Sequence, residues 1–139
     1  KADRNGTKDS VANIRDTSVF CINVVAQAQL DAMNVSSATL TNDVDEFDHA
    51  GLGKIQCETI DCARVAGAPA ALECILTKIV PLSGAANIAV FGEVTGIYIS
   101  DDCLVKGIFD ITKFTPVGRL GYRDYVYVEK PFELCRPDD

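Results

Sequence analysis

At 139 residues the chain has the length of one domain and is long enough to bury about two-thirds of its unfolded surface. A net charge of −7 offers no basic face to neutralise phosphates, which argues against a nucleic-acid partner. Hydrophobic content of 47% is ordinary for a globular protein, and no apolar run reaches the ~20 residues of a membrane helix, the longest being broken by Glu93.

In chain order, the opening Lys1-Ala2-Asp3-Arg4-Asn5-Gly6-Thr7 is a polar turn without an initiator Met, so the native product is expected to be longer at its N-terminus. Lys8-Asp9-Ser10 supply good starting residues for a short amphipathic helix that carries Val11 and Ile14. Val19 to Val25 reads as a buried strand. Ala26 to Met33 reads as a second helix, with Leu30 and Met33 on one face. Asn34 to Gly53 is polar and turn-rich, with one helical turn near Asp45-Glu46-Phe47. Ile55 to Val65 has weak strand character and ends at Ala66-Gly67-Ala68-Pro69.

Ala71 to Ser100 organises the rest. Two long segments rich in β-branched and aromatic residues are interrupted only by isolated charges (Glu73, Lys78, Glu93), and small residues, Ser83 to Ala86, lie between them. That pattern predicts an antiparallel hairpin with one largely buried face. Gly92 and Gly96 inside its second strand mark a bulge, a bend or a close approach, as a curled sheet requires. Beyond it, Asp101-Asp102 mark a turn. Pro116, Gly118 and Gly121 make Phe114 to Tyr122 a loop. Tyr125 to Val128 alternates as a final strand, which Phe132 to Leu134 extends. The sum is mainly β with short helices, an α+β domain built on a curled antiparallel sheet over residues 1–139.

Catalytic motifs are few. There is no Gly-x-Ser-x-Gly elbow, Walker loop or Gly-x-Gly-x-x-Gly. Asp43 to Asp48 resembles the start of a calcium loop, but Asp48 stands where Gly belongs and Lys54 where Glu belongs, so a solvated acidic loop fits better. His49, the single histidine, has no nucleophile beside it. Six scattered cysteines without a C-x-x-C pair read as reduced, mostly buried thiols of a cytoplasmic protein. Neither a catalytic set nor a metal set emerges.

Four stretches in register carry a family resemblance. They are Lys8-Asp9-Ser10-Val11-Ala12-Asn13-Ile14; Met33-Asn34-Val35-Ser36-Ser37-Ala38; Val44-Asp45-Glu46-Phe47 with Ala50-Gly51-Leu52; and Pro116-Val117-Gly118-Arg119-Leu120-Gly121 followed by Tyr125. In this order and spacing they resemble the flavin reductase-like family, whose members bind FMN in a split β-barrel. Ala68 to Cys74 and Phe91 to Val94 resemble that family's central strands.

The resemblance implies a homodimeric flavoprotein that holds FMN near the subunit interface and passes hydride from NADH or NADPH to it. Hydride moves directly between two flat rings, so a catalytic dyad is not needed. Carried over residue by residue, Lys8 and Ser10 match the family's Lys-Asp-Thr phosphate clasp, with Ser in place of Thr; plain N-capping by Asp9 or Ser10 explains the same residues. Asn34, Ser36 and Ser37 either line the cofactor or satisfy a turn. Arg119 either sits near a flavin or nicotinamide phosphate or forms a surface ion pair.

Two departures stand out. Tyr122 replaces a second Gly of the family pattern, and either narrows the pocket or stacks on a ring. The family's leading strands are not represented, so residues 1–139 read as the C-terminal two-thirds of a longer chain. The function expected is an NAD(P)H-dependent flavin oxidoreductase. The alternatives are a flavin-binding electron carrier that no nicotinamide reduces, and a cofactor-free interaction domain that keeps the barrel.

Overall fold

The computed structural model describes residues 9–38, 40, 41, 44–84 and 87–138. Its centre is the anticipated hairpin, formed by β4 (Ala70–Pro81) and β5 (Ile88–Ile99), antiparallel over twelve residues each. Strand β1 (Val19–Asn23) pairs antiparallel with the other side of β4, giving the order β1-β4-β5 and placing β4 in the middle. That position explains its burial: Ala70, Ala71, Glu73 and Cys74 are all buried. Small side chains dominate this core, with Ala26, Ala68 and Cys103 joining Val11, Cys57 and Ile60.

Two bulges curl the sheet. Thr95 is the extra residue opposite the Glu73–Cys74 step, and Thr77 is the extra residue between Leu76 and Lys78. Both glycines of β5 mark close approaches. A Cβ on Gly92 would lie 2.5 Å from Cζ of Phe20, and one on Gly96 would lie 2.9 Å from Oε2 of Glu73. The sheet closes over Phe20 and Glu73 because those two positions carry no side chain.

Helix α1 (Asp9–Thr17) buries Val11 and hands over to β1 through Ser18, whose φ of 60° turns the chain sharply. After β1 the chain makes a 3-10 turn at Gln27–Gln29 and then helix α2 (Leu30–Ser36). This second helix therefore starts later and runs further than the span Ala26 to Met33 predicted for it. The anticipated helical turn is α3 (Glu46–His49), capped by Asp45, whose side chain accepts from the Phe47 amide at 2.9 Å. Residues 54–65 are two short strands, not one weak one: β2 (Lys54–Gln56) pairs antiparallel with β3 (Ala63–Val65). The intervening residues fold back so that the Cys57 amide donates to the Cys62 carbonyl at 2.9 Å.

Two short strands, β6 (Leu104–Val105) and β7 (Ile108–Phe109), form a hairpin that the sequence pattern does not announce. The segment predicted as a loop at 114–122 contains strand β8 (Val117–Gly121), paired with β9 (Asp124–Tyr127). Pro116 forms an isolated antiparallel bridge with Ala26 just before β8; the bridge's hydrogen bonds come from the Gln27 and Val117 amides, so it does not need the missing N–H of Pro116, while the Pro116 carbonyl accepts from the Val128 amide at 2.9 Å. Phe132 and Leu134 extend no strand and are 85% and 84% exposed. No helix among the described residues is long and apolar enough to cross a membrane.

Candidate functional site

The residues singled out from the sequence fall into three groups. Lys8 lies outside the described residues, but Ser10 stands exposed in the first turn of α1, a nine-residue helix. The first amides of a helix have no intrahelical acceptor and carry the positive end of its dipole, so an anion is favoured there.

Asn34, Ser36 and Ser37 sit at the C-terminal end of α2. Their geometry is local: the Ser36 hydroxyl donates to the Met33 carbonyl at 2.8 Å and the Ser37 hydroxyl to the Asn34 carbonyl at 2.7 Å. Both hydroxyls satisfy the last carbonyls of their own helix. Ser36 also lines a small apolar recess of about 90 Å³ with Val25, Met33, Leu52, Val65 and Ala68.

Arg119 and Tyr122 are joined in the β8–β9 hairpin, where Nη2 of Arg119 donates to the Tyr122 carbonyl at 3.1 Å. Arg119 also lies over the Tyr125 ring, 5.9 Å from its centroid. Tyr122 holds the turn with φ of 48° and is 96% exposed, so its ring presents itself to solvent. Among the described residues no hydrogen bond, ion pair or ring contact links one of these three groups to another. His49 is exposed at the end of α3, and no group of three or more His, Cys, Asp or Glu side chains could hold a metal ion among the described residues.

A fourth group escaped the sequence reading. Glu73 on β4 is 3% exposed, and its carboxylate accepts from the Glu58 amide at 3.1 Å and from both the amide and hydroxyl of Thr59 at 2.7 Å. The Thr59 hydroxyl also meets that of Thr95, the bulge residue, at 2.7 Å. Burial pushes the Glu73 carboxyl up, but the Thr59, Glu58 and Cys57 hydrogen bonds outweigh it and hold the group below the usual carboxylate range. Arg64 on β3 is 8% exposed, with its guanidinium carbon 3.4 Å from the centre of the Tyr98 ring. Its Nη1 has no hydrogen-bond partner among the described residues. Such an orphan donor on a charged group costs roughly 1–3 kcal/mol or more. The signals in the sequence were a lone Glu inside an apolar strand and a Gly directly across from it. Arg64 gave no signal, because its ring partner lies on a strand distant in sequence.

Residues 5–118 match the family described as "Flavin reductase like domain". The chain belongs to this family. The flavin reductase-like chain is 32% identical over 135 residues to an uncharacterized protein of Aquifex aeolicus (strain VF5), covering 96% of this chain and 66% of that protein. Its fold matches nitrilotriacetate monooxygenase component B from Bacillus cereus with a TM-score of 0.84 and 25% identity, over 91% of this chain and 65% of that one. It also matches the 2-nitrobenzoate 2-nitroreductase NbaA of Pseudomonas fluorescens with a TM-score of 0.81 and 28% identity, over 93% and 64%. The chain thus spans just under two-thirds of the length of these proteins. The fold is the mainly β split barrel of flavin reductases, as the resemblance implied.

Proposed function

We propose that this chain carries the FMN site of an NADH- or NADPH-dependent oxidoreductase that works as a homodimer in the cytoplasm. The observation that carries the reading is the match of residues 5–118 to the flavin reductase-like domain, supported by similarity to a monooxygenase component and a nitroreductase.

The residues present fit the phosphate end of the cofactor. Ser10 offers an exposed hydroxyl beside the amides that open α1, and together these donors suit a phosphomonoester. Lys8 would add the cationic charge. The apolar recess beside Ser36, at about 90 Å³, is too small to enclose a tricyclic ring, so in this reading the ring lies outside it. Bound FMN would supply the hydride acceptor; the protein's task is to orient it and keep water from the reacting faces. In this reading Arg119 offers a nicotinamide or flavin phosphate a cation on a hairpin that also presents the exposed Tyr122 ring.

The visible spectrum of the purified protein, recorded before and after NADH is added without oxygen, tests this. Flavin absorbance that bleaches supports the oxidoreductase. Flavin that persists against both nicotinamides supports an electron carrier instead, and a colourless protein that takes up no FMN leaves an interaction domain.

A further inference from the structure

We infer that Cys57 and Cys62 form an oxidation site, in which the two thiols close to a reversible disulfide when the protein meets a peroxide.

The register of the β2–β3 hairpin brings them together. Gln56 pairs with Ala63, so Cys57 and Cys62 stand opposite each other one step further along, and the Cys57 amide donates to the Cys62 carbonyl at 2.9 Å. Residues opposed through such a bond have Cα atoms about 5.5 Å apart, within the roughly 4.4–6.8 Å that a disulfide spans, and their side chains share one face. Arg64 lies on that face too, two residues beyond Cys62, and is buried against Tyr98 of the central sheet. Both thiols therefore face inward. Cys57 is buried, but Cys62 is only half-buried, so an oxidant arriving from solvent meets Cys62 first.

Cys21 is the competing partner. It stands opposite Glu73 on the same face of the sheet, under the loop whose Glu58 and Thr59 amides hold the Glu73 carboxylate, and its thiol is hydrogen-bonded to Cys57. Burial and that hydrogen bond push the Cys21 thiol up to about 12, which keeps it protonated and unreactive. Cys57 is different. Burial raises its thiol and Glu73 adds to this, but the hydrogen bond from Cys21 and the Arg64 charge both favour its thiolate. Cys57 is thus the thiol placed to resolve an oxidised Cys62.

The chemistry needs only hydrogen peroxide. The Cys62 sulfur attacks one peroxide oxygen, the O–O bond breaks, and the hydroxide released takes the thiol proton to become water. The Cys57 sulfur then attacks the Cys62 sulfenic acid, the S–O bond breaks, and a second water leaves with the Cys57 proton as the S–S bond forms. Each sulfur gives up one electron and the peroxide accepts two. A dithiol reverses the bond by exchange. None of the residues proposed to hold the flavin takes part.

Peptide mapping tests the assignment. The full chain, carrying Cys135→Ser to prevent links between molecules, is held in hydrogen peroxide at pH 8, alkylated with iodoacetamide in urea and digested with trypsin. Lys54 and Arg64 place both cysteines in one tryptic peptide, residues 55–64. That peptide should lose about 2 Da, the two thiol hydrogens, and carry no alkyl group. Dithiothreitol before alkylation should restore both alkylated thiols, and adding Cys21→Ser should leave the bond forming as before. The mapping without Cys21→Ser stands even if that variant does not fold. Residues 55–64 recovered with both thiols alkylated, a disulfide joining Cys57 to Cys21, or Cys62 carried to sulfinic or sulfonic acid beside a free Cys57 would each overturn the proposal.

Discussion

Thr59 and Glu73 are fourteen residues apart, and both the amide and the hydroxyl of Thr59 lie 2.7 Å from the same carboxylate oxygen, Oε2 of Glu73. This double contact ties the loop between β2 and β3 to the central strand of the sheet. It also sets an acid limit on stability. The folded carboxyl is held below its ordinary value of 4.5, so its contribution is fully present above 4.5 and is lost as pH falls through the lower folded value. Urea unfolding from pH 7 down to pH 3 should show this loss in the parent. Glu73→Gln should lower stability at pH 7 by about 1–3 kcal/mol and flatten the acid limb, and Thr59→Ala should do the same more weakly. An acid limb unchanged in Glu73→Gln would show that other carboxyls set it.

Gly96 is the space that this contact needs. An added Cβ would lie 2.9 Å from Oε2 of Glu73 and 2.9 Å from both Oγ1 and Cγ2 of Thr59, and the two oxygens are fixed by their own hydrogen bonds. Gly96→Ala should therefore destabilise by about 1–3 kcal/mol, through displacement of the carboxylate. Gly107→Ala makes a useful contrast, since a Cβ there meets nothing within 4 Å and the cost comes only from a φ of 78°. Combining Gly96→Ala with Glu73→Gln should give less than the sum of the two losses, and strict additivity in the cycle would contradict the steric account.

Five of the six thiols should separate by reactivity. Cys57, Cys74 and Cys103 are buried, Cys135 is exposed, and burial together with the hydrogen bond to Cys57 pushes the Cys21 thiol up to about 12. Alkylation by iodoacetamide at pH 8, followed by peptide mass spectrometry, should label Cys135 within minutes and leave Cys21 and the buried three unmodified until denaturant is added. Early labelling of Cys21 would mean that β1 opens readily.

Flavin affinity should depend on the start of α1. In fluorescence titrations, Lys8→Ala should weaken FMN about ten- to a hundredfold and Ser10→Ala less, since the helix amides remain. Riboflavin, which has no phosphate, should bind both variants as it binds the parent. Equal weakening of FMN and riboflavin by Lys8→Ala would assign the residue to the fold.

A homodimer is the expectation carried by the family resemblance, in which the cofactor lies near the subunit interface. Among the described residues β5 is paired on one side only and exposes Phe91, Val94 and Ile97 at 54%, 47% and 65%. A second copy, or the additional length that the relatives carry, would cover such an apolar edge. Sedimentation at micromolar concentration should give twice the chain mass; a monomer that still binds flavin would count against it.

The β4–β5 hairpin and the start of α1 were legible because each depends on neighbours in sequence: an apolar run, a short connection of small residues, a polar start. The glycines of β5 were legible as close approaches for the same reason, since a strand interior gives Gly no other advantage. β1 was legible as a strand, but it ends at Asn23 instead of Val25 and none of its residues is buried, Ile22 being 48% exposed. Local pattern failed where partners are distant. Strand β8 looks like a loop by its Pro and Gly content, yet it pairs with β9 because Gly118 leaves room for Val126, 3.2 Å from where a Cβ would stand.

By itself the sequence determined the hairpin, the curl of the sheet and the family, because periodicity, glycine placement and spaced motifs are properties of the chain read in one dimension. Only the tertiary structure decided which charges face one another. Arg64 came to lie on Tyr98 without an acceptor while Glu73 took its donors from Glu58 and Thr59, and the order β1-β4-β5 left β5 at the edge. Hydrogen bonds and ring contacts act over a few ångströms, and the approach of β3 to β5 that brings these groups into range is a product of folding, not of spacing along the chain.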